Sequence, residues 1–284
     1  MAETPTGHLD KDMIDDAQLW HLAMRIDHKT ISVAVTSTVR DNSLIYREIS
    51  LDTSVASWQA SIEDAVYANP LLLSDFSRID IAVDTEWFTV IPSEITDNAL
   101  QQRITDTLFR DMNGENEPML TLADPIAGTG ATLLAVIPTG VENFLRRTFF
   151  NANIRHCVSV LAQYFHTREK LGNSGKLFVH IHPGSVTMIA FNHDSLAMAN
   201  RLRTESTADA MYYIMAAREK LTESGDIDDQ ILVSGDSTLR DSIVPTLREY
   251  VPYVMPLFFP ASLLKAGHEA INAPLELSVM HICE

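Results

Sequence analysis

Cysteine is scarce in this chain: Cys157 and Cys283 are the only two among 284 residues. Small secreted domains rely on several paired cysteines, so this pair gives no sign of a disulfide framework. Both thiols are predicted to be buried. The opening stretch MAETPTGHLDKDMIDD lacks the basic start and the apolar core of a secretory signal. A cytoplasmic location is therefore the default expectation.

Basic residues are also few, with 21 Lys and Arg against 38 Asp and Glu and a formal net charge of −17. Nucleic-acid backbones and anionic membrane surfaces attract clustered Lys and Arg, so neither is expected as a partner. Long hydrophobic runs are missing as well. The most apolar stretches, residues 131–137 and 251–264, are too short or too interrupted by proline to span a bilayer of about 30 Å. No direct membrane insertion is expected.

What the chain does contain is a faint internal repeat. Leu22–Ser37 aligns with Leu177–Asn192 without a gap, and each copy alternates like a strand, a polar turn and a second strand. A third strand candidate follows in both copies, at Leu44–Ile49 and Leu196–Leu202, before a helical pattern begins. The repeat predicts an α/β protein with a disordered lead-in at residues 1–18, a first half at 19–152 and a second half at 153–284.

The remaining elements follow from periodicity and from turn residues. Helices are predicted at Thr53–Tyr67, Ser93–Phe109, Val141–Phe150, Arg155–Leu171, Thr207–Leu221 and Ser237–Tyr250. Further strands are predicted at Ile79–Val83, Phe88–Ile91, Ala131–Ile137, Ile231–Val233, Val251–Leu257 and Leu275–Cys283. Gly114–Gly130 is predicted as a loop, and Gly172, Asn173 and Gly175 as the boundary between the halves.

Three antiparallel strands followed by a helix and a further strand, occurring twice, form the plan of the actin-like ATPases, which belong to the ribonuclease H-like folds. Three motifs make the likeness more specific: FTVIP at 88–92, ADAMYY at 208–213 and ILVSG at 231–235. In this order they resemble an uncharacterised bacterial family typical of Bacteroidetes, similar in fold to the pilus assembly protein PilM and the cytoplasmic part of the secretion protein GspL. The resemblance implies two β-β-β-α-β-α halves with mixed sheets, and contact with another protein, in an envelope-associated assembly.

Actin-like ATPases cradle phosphates in the hairpin between the first two strands of each half. Glycine lets backbone amides approach phosphate, and aspartate holds Mg²⁺ through water. If a nucleotide binds here, the matching positions are Asp27, Lys29, Thr30, Gly184, Ser185, Thr187 and Gly235.

Each of these elements is incomplete. The first hairpin has Lys29 where glycine is wanted, and the second has His182 in place of aspartate. The adenosine-contacting Gly-Gly is reduced to Gly235, followed by the charged Asp236. The sequence therefore predicts a degenerate cleft without a cofactor, in a non-catalytic protein-binding or scaffold module. The alternatives are a divergent ATPase or nucleotide-dependent switch that uses ATP and Mg²⁺, and a homodimeric structural protein joined through a sheet edge.

Two other groupings of residues have side chains that could carry chemistry. His180 and His182 share one face of a strand and could approach a metal, but spacing identifies no third ligand, so no metal site is predicted. Asp80, Asp84 and Glu86 cluster near a strand end as in two-metal nucleases, yet an acidic chain supplies such clusters by chance. A nuclease is not favoured.

Cys157 lies beside His156, and the two residue types could form a nucleophile with its base. Adjacent residues on a helix point in different directions, and no third group that would orient the histidine follows from the sequence. A core thiol is predicted instead.

Overall fold

The computed structural model describes residues 7–55, 57–110, 117–169, 175–192, 195–227, 230–257 and 273–280. The strands in these ranges are β1 Trp20–Ile26, β2 Thr30–Ser37, β3 Ile45–Ser50, β4 Arg78–Val83, β5 Phe88–Pro92, β6 Met119–Ile126, β7 Ala131–Pro138, β8 Asn153–His156, β9 Leu177–His182, β10 Ser185–Asn192, β11 Ser195–Arg203, β12 Gln230–Gly235 and β13 Tyr253–Pro256. The helices are α1 Trp58–Tyr67, α2 Asn98–Leu108, α3 Thr139–Thr148, α4 Cys157–Glu169, α5 Thr207–Glu223, α6 Ser237–Tyr250 and α7 Leu275–Val279. Predictions that fall on Gly172, Asn173 and Cys283 lie outside the described residues.

The internal repeat corresponds to two sheets of identical topology. Their strand orders are β3-β2-β1-β4-β8 and β11-β10-β9-β12-β13. In each sheet the first three strands are antiparallel and the last two join in parallel. Even the strand ends match: the carbonyls of Ile26 and Ile181 accept the amides of Asp84 and Asp236, at 2.8 and 2.9 Å. The predicted duplicated α/β fold with mixed sheets is confirmed.

An insertion in the first half separates β4 from α3. It consists of α2 and a three-stranded antiparallel sheet of order β5-β7-β6. The loop predicted over Gly114–Gly130 is wrong in part, because β6 occupies residues 119–126. Only one face of β6 is buried and the strand contains Pro125, so its apolar periodicity is weak. Gly128 and Gly130 make the turn into β7 with positive φ angles.

Two predicted element types are corrected. The helix predicted from Arg155 begins only at Cys157, because the preceding four residues pair with β4 as strand β8. The first sheet therefore extends past residue 152. The strand predicted from Leu275 is the helix α7, whose residues are all buried. A short segment that is buried on every side shows neither strand nor helix periodicity, so the sequence could not separate the two.

The lead-in predicted as disordered is folded from residue 7 onward. Residues 7–19 contain two 3-10 turns, Lys11–Met13 and Ala17–Leu19, and the segment buries Leu9 and Ile14. The Leu9 amide donates to Asn69 Oδ1 at 2.9 Å, which ties the segment to the end of α1. Two apolar side chains among acidic residues are enough to dock it, and composition alone did not reveal them.

Some helices begin later than predicted, each directly after a residue whose side chain caps the amides of the first turn. The helix predicted from Thr53 begins at Trp58, where Ser57 Oγ accepts the Ala60 amide. The helix predicted from Ser93 begins after Asp97. Side chains that accept the free amides of a first turn fix where a helix starts, and several nearby candidates compete in the sequence.

Two helices lie between the halves. α4 packs against β4 and β8 of the first sheet and β10 of the second, and α7 packs against α4, β1 and β2. Phe165 of α4 stacks on Phe178 of β9 with ring centroids 4.7 Å apart. One apolar core thus continues from the first half into one face of the second sheet. None of the helices in the described ranges is long and apolar enough to cross a membrane.

We predict that Gly235→Ala destabilises the protein strongly. Gly235 has a φ of +99°, and an added Cβ would lie 2.1 Å from the Ile181 carbonyl oxygen. Strain and backbone overlap together should lower the free energy of unfolding by more than about 2 kcal/mol. Denaturant unfolding measures the change.

The matched control is Gly184→Ala. Gly184 also has a positive φ, +81°, but an added Cβ would meet no described atom within 4 Å. We expect a loss of about 1 kcal/mol from conformational strain alone. Equal effects of the two substitutions would show that the contact with Ile181 does not constrain Gly235.

Candidate functional site

Charged and imidazole side chains meet between the two sheets, at the strand ends that carry the hairpins. We call the group Arg25, Asp84, His180, His182, Arg201 and Glu276 the cleft cluster. β1, β9 and β11 supply the basic members, the residue after β4 supplies Asp84, and α7 supplies Glu276. In the repeat alignment Arg25 and His180 occupy equivalent positions. The cluster therefore joins both halves and the helix between them.

Two arginines from opposite halves bind one buried aspartate. Arg25 Nη2 donates to Asp84 Oδ2, and Arg201 Nη1 donates to Asp84 Oδ1. The Asp84 side chain is only 6% exposed. Burial alone would raise the pKa of Asp84, but the charges of Arg201 and Arg25 hold it well below its ordinary value. Asp84 is thus a permanent anion that links the two halves.

Glu276 provides a second link. Its Oε1 lies 3.0 Å from Arg25 Nε, and its Oε2 lies 3.2 Å from His180 Nε2. The side chain is 1% exposed, and burial opposes its charge. The neighbouring His180 and Arg25 outweigh burial and lower the pKa of Glu276. Through this carboxylate, α7 contacts β1 of the first sheet and β9 of the second.

In the first hairpin, backbone amides donate hydrogen bonds to an aspartate of the same hairpin. Asp27 Oδ1 accepts the amides of Lys29 and Thr30 at 2.7 and 2.8 Å, and Asp27 Oδ2 accepts the Thr30 hydroxyl at 2.9 Å. Arg25 Nη1 lies 3.2 Å from the same carboxylate, and the Lys29 side chain is exposed. These are the amides that would face a phosphate, so a bound nucleotide would compete with Asp27 for them.

In the second hairpin the predicted residues separate. Gly184 is exposed and Ser185 is half-buried, whereas Thr187 is fully buried. Thr187 Oγ1 accepts Arg201 Nε at 2.9 Å, which connects this residue to the cleft cluster. The glycine of this hairpin is thus exposed, while its threonine is buried and accepts a hydrogen bond from Arg201.

The last residue of β12 and the residue after it have structural roles. Gly235 lies against Ile181, and Asp236 caps α6 by accepting the Leu239 amide at 2.9 Å. Asp236 therefore has a structural partner of its own. Gly235 is conformationally required at this position whether or not a nucleotide binds.

The acids considered for a nuclease do not converge. Asp80 accepts Arg78 Nε at 2.6 Å, Asp84 accepts the two arginines described above, and Glu86 pairs with Arg203 near the surface. Each carboxylate has its own guanidinium partner. The arrangement neutralises these acids rather than leaving them free to hold two metal ions.

His156 and Cys157 are both fully buried but chemically separate. His156 Nδ1 accepts the Val158 amide at 3.2 Å, and Nε2 lies 3.1 Å from the Thr85 carbonyl oxygen. Burial lowers the pKa of His156 to about 4, so the ring is neutral. Burial raises the pKa of the Cys157 thiol well above its ordinary value. A protonated thiol that is closed off from solvent is a core residue, as the sequence predicted.

Arg25, Arg201 and Glu276 were missed by sequence reasoning. Each makes its key contact with a residue far away along the chain, which no local spacing reveals. The available signal was Glu276, the one charged residue in the apolar stretch 273–280. A buried charge is rare unless it is paired, so such a position points to a partner.

The two equivalent sheets with their interposed helices define an actin-like ATPase fold. The chain belongs to the family described as "Protein of unknown function (DUF3822)", whose model matches residues 10–254. This confirms the resemblance seen in the three sequence motifs. No curated protein matches the sequence.

Solved structures agree on the fold. A Bacteroides thetaiotaomicron protein with an actin-like ATPase fold and unknown function has a TM-score of 0.72 and 17% identity, covering 94% of this chain and 98% of that one. A chain of the PilM–PilN type IV pilus biogenesis complex has a TM-score of 0.50 and 10% identity, covering 92% and 98%. At these identities the likeness concerns the fold.

We predict that Arg201→Leu lowers the free energy of unfolding by about 3–5 kcal/mol. The substitution leaves the buried Asp84 charge with one guanidinium partner instead of two, and breaking a buried ion pair carries a cost of this size. Denaturant unfolding at neutral pH measures the loss.

Arg203→Leu is the matched control, two residues along the same strand. Its side chain is 80% exposed and pairs with Glu86, which is 45% exposed. An exposed pair contributes less than about 1 kcal/mol. Similar losses in the two variants would contradict a special role for the Asp84 bridges.

His156 should make stability depend on pH. Its pKa is about 4 in the folded protein and about 6.5 in the unfolded chain, so the unfolded chain binds the extra proton as pH falls through this window. The stabilisation is therefore complete above pH 6.5 and is lost towards pH 4. Between pH 7 and pH 5 we expect the stability advantage of wild type over His156→Gln to shrink by about 2 kcal/mol. A pH-independent difference would contradict a neutral, buried ring.

Proposed function

We propose that this protein is a non-catalytic, cytoplasmic protein-binding module built on an actin-like fold, in which the cleft cluster replaces the nucleotide. One observation carries the proposal: Arg25 and Arg201, from opposite halves, both bind Asp84 at the position between the hairpins. In a nucleotide-dependent relative of this fold, the ligand would join the halves there. Here the protein's own side chains make that connection.

Electrostatics favours this interpretation. The two guanidinium groups are already neutralised by Asp84 and Glu276, and Asp27 occupies the amides of the first hairpin. A triphosphate would add further negative charge beside three carboxylates. To gain the arginines it would have to break buried ion pairs, each of which costs about 3–5 kcal/mol when one partner is lost.

A protein partner is supported by the fold and by the surface charge. PilM has the same fold and is found in a complex with PilN in type IV pilus biogenesis. We propose an analogous role for this chain, as a docking subunit of an envelope-associated assembly. Its net charge of −17 favours a basic surface on the partner, because complementary charge accelerates encounter and suppresses wrong pairings.

The proposal predicts no stabilisation by nucleotide. A ligand that binds only the folded state raises the melting temperature, so thermal unfolding is recorded with and without millimolar ATP or ADP and Mg²⁺. We expect an unchanged melting temperature, and calorimetric titration should show no heat of binding. Magnesium sulfate at matched ionic strength controls for salt effects.

A rise with ATP and Mg²⁺ that the sulfate control does not reproduce would contradict the proposal. It would favour the ATPase or switch instead, with Asp27, Thr30, Gly184, Thr187 and Gly235 as the residues around the nucleotide. The partner is tested separately, by crosslinking in cells and binding of the purified partner. That binding should be unaffected by added ATP.

A further inference from the structure

Three potential metal ligands converge at one side of the cleft cluster. A ring nitrogen of His180, a ring nitrogen of His182 and a carboxylate oxygen of Glu276 all lie within 4.8 Å of one another. We propose that these three residues bind a single zinc ion. The inference is independent of the partner-binding role, and it departs from the sequence-based expectation of no metal.

His180 lies between Ser234 and Glu276. Its Nδ1 is 2.8 Å from the Ser234 hydroxyl oxygen, which is also 3.3 Å from the Val179 carbonyl oxygen. Its Nε2 is 3.2 Å from Glu276 Oε2. The proposed site places the ring proton on Nδ1, as donor to Ser234, so that Nε2 presents its lone pair to the cation beside the carboxylate.

His182 and Glu276 add buried atoms without hydrogen bonds. Among the described residues, neither His182 Nε2 nor Glu276 Oε2 has a hydrogen-bond partner, and both atoms are fully shielded from solvent. The contact of Glu276 with His180 is close but lacks hydrogen-bond alignment. A buried polar atom left unpaired is costly, and metal coordination is one of the few ways to satisfy several at once.

The ligand set and its geometry suit zinc. Two histidines and a glutamate are a ligand set found in zinc enzymes, which leave a fourth position for water. His180 and His182 are two residues apart on β9, so both rings project from the same face, with centroids 4.4 Å apart. Tetrahedral zinc ligands lie about 3.4 Å from each other, so closing the site requires side-chain shifts on the order of 1 Å.

The net charge of the side chains around the proposed site is also compatible with a divalent cation. Arg25 and Arg201 face the three carboxylates of Asp27, Asp84 and Glu276, which leaves a net charge of −1 when the imidazoles are neutral. A zinc ion with a bound hydroxide would bring this total to zero. The two arginines therefore do not exclude the metal.

Supporting contacts hold two of the ligands in place. Ser234 orients the His180 ring from behind, and Arg25 Nε lies 3.0 Å from the other oxygen of Glu276. Metal-bound histidines commonly donate their second ring N–H to such an acceptor, which fixes the tautomer. The ion would connect β9 to α7, the helix that contacts both halves.

Zinc titration of the chelator-treated full-length chain tests the site, read by competition with a chromogenic chelator. We expect one zinc ion per chain and a higher melting temperature with zinc. Co²⁺ at the site should give the visible absorption of tetrahedral coordination. His182→Ala and Glu276→Gln should each weaken binding by more than about 100-fold, because loss of a ligand exceeds the 10- to 100-fold cost of losing a supporting contact. Ser234→Ala should fall within that lower range.

His28→Ala is the matched control, since His28 is exposed in the first hairpin and should leave zinc affinity unchanged. Each variant is checked for a cooperative unfolding transition. If Glu276→Gln does not fold, His182→Ala, at the half-exposed end of β9, decides the question. Failure to bind stoichiometric zinc would overturn the proposal and leave His180 and Glu276 as a direct pair. Binding that survives both ligand substitutions would place the metal elsewhere and would overturn it equally.

Discussion

The two guanidinium groups on Asp84 are the interaction on which the rest of the structure depends. A buried carboxylate is unfavourable unless it is paired, and here the two partners come from different halves of the chain. Pairing the Asp84 carboxylate with both arginines therefore requires β1, β4 and β11 to lie close together. Glu276 extends the same requirement to α7, which must insert its carboxylate between Arg25 and His180. The two halves are thus joined by their own charged side chains.

Local contacts account for the residues at the hairpins and at the end of β12. Asp27 satisfies the amides of its own hairpin, Thr187 accepts from Arg201, and Gly235 remains because the Ile181 backbone leaves no space for a side chain. Each of these residues thus has a structural role of its own. The backbone geometry at these positions serves the two sheets, whereas binding a phosphate would require hydrogen-bond donors that are not already paired. Within the part of the chain that the structure describes, His182 Nε2 and Glu276 Oε2 have no hydrogen-bond partner, which is why we propose a metal site in the same cleft.

The sequence predicted what depends on local pattern. Alternation in Leu22–Ser37 and Leu177–Asn192 indicated both hairpins and the duplication. It failed where burial erases periodicity, as in α7, and where one half-buried face carries a weak signal, as in β6. The cleft cluster could not be predicted because the partners of Asp84 and Glu276 are distant in sequence. Charges in apolar surroundings mark such positions but do not identify their partners.

A double-mutant cycle on Arg201 and Asp84 tests the central claim most directly. Unfolding free energies of wild type, Arg201→Leu, Asp84→Asn and the double variant give the coupling between the two side chains, free of their separate effects. If the bridge joins the halves as described, the coupling energy should lie at about 2–3 kcal/mol, the upper end of the range for directly contacting residues. Additive losses, with a coupling near zero, would show that the halves are held together by the apolar core alone.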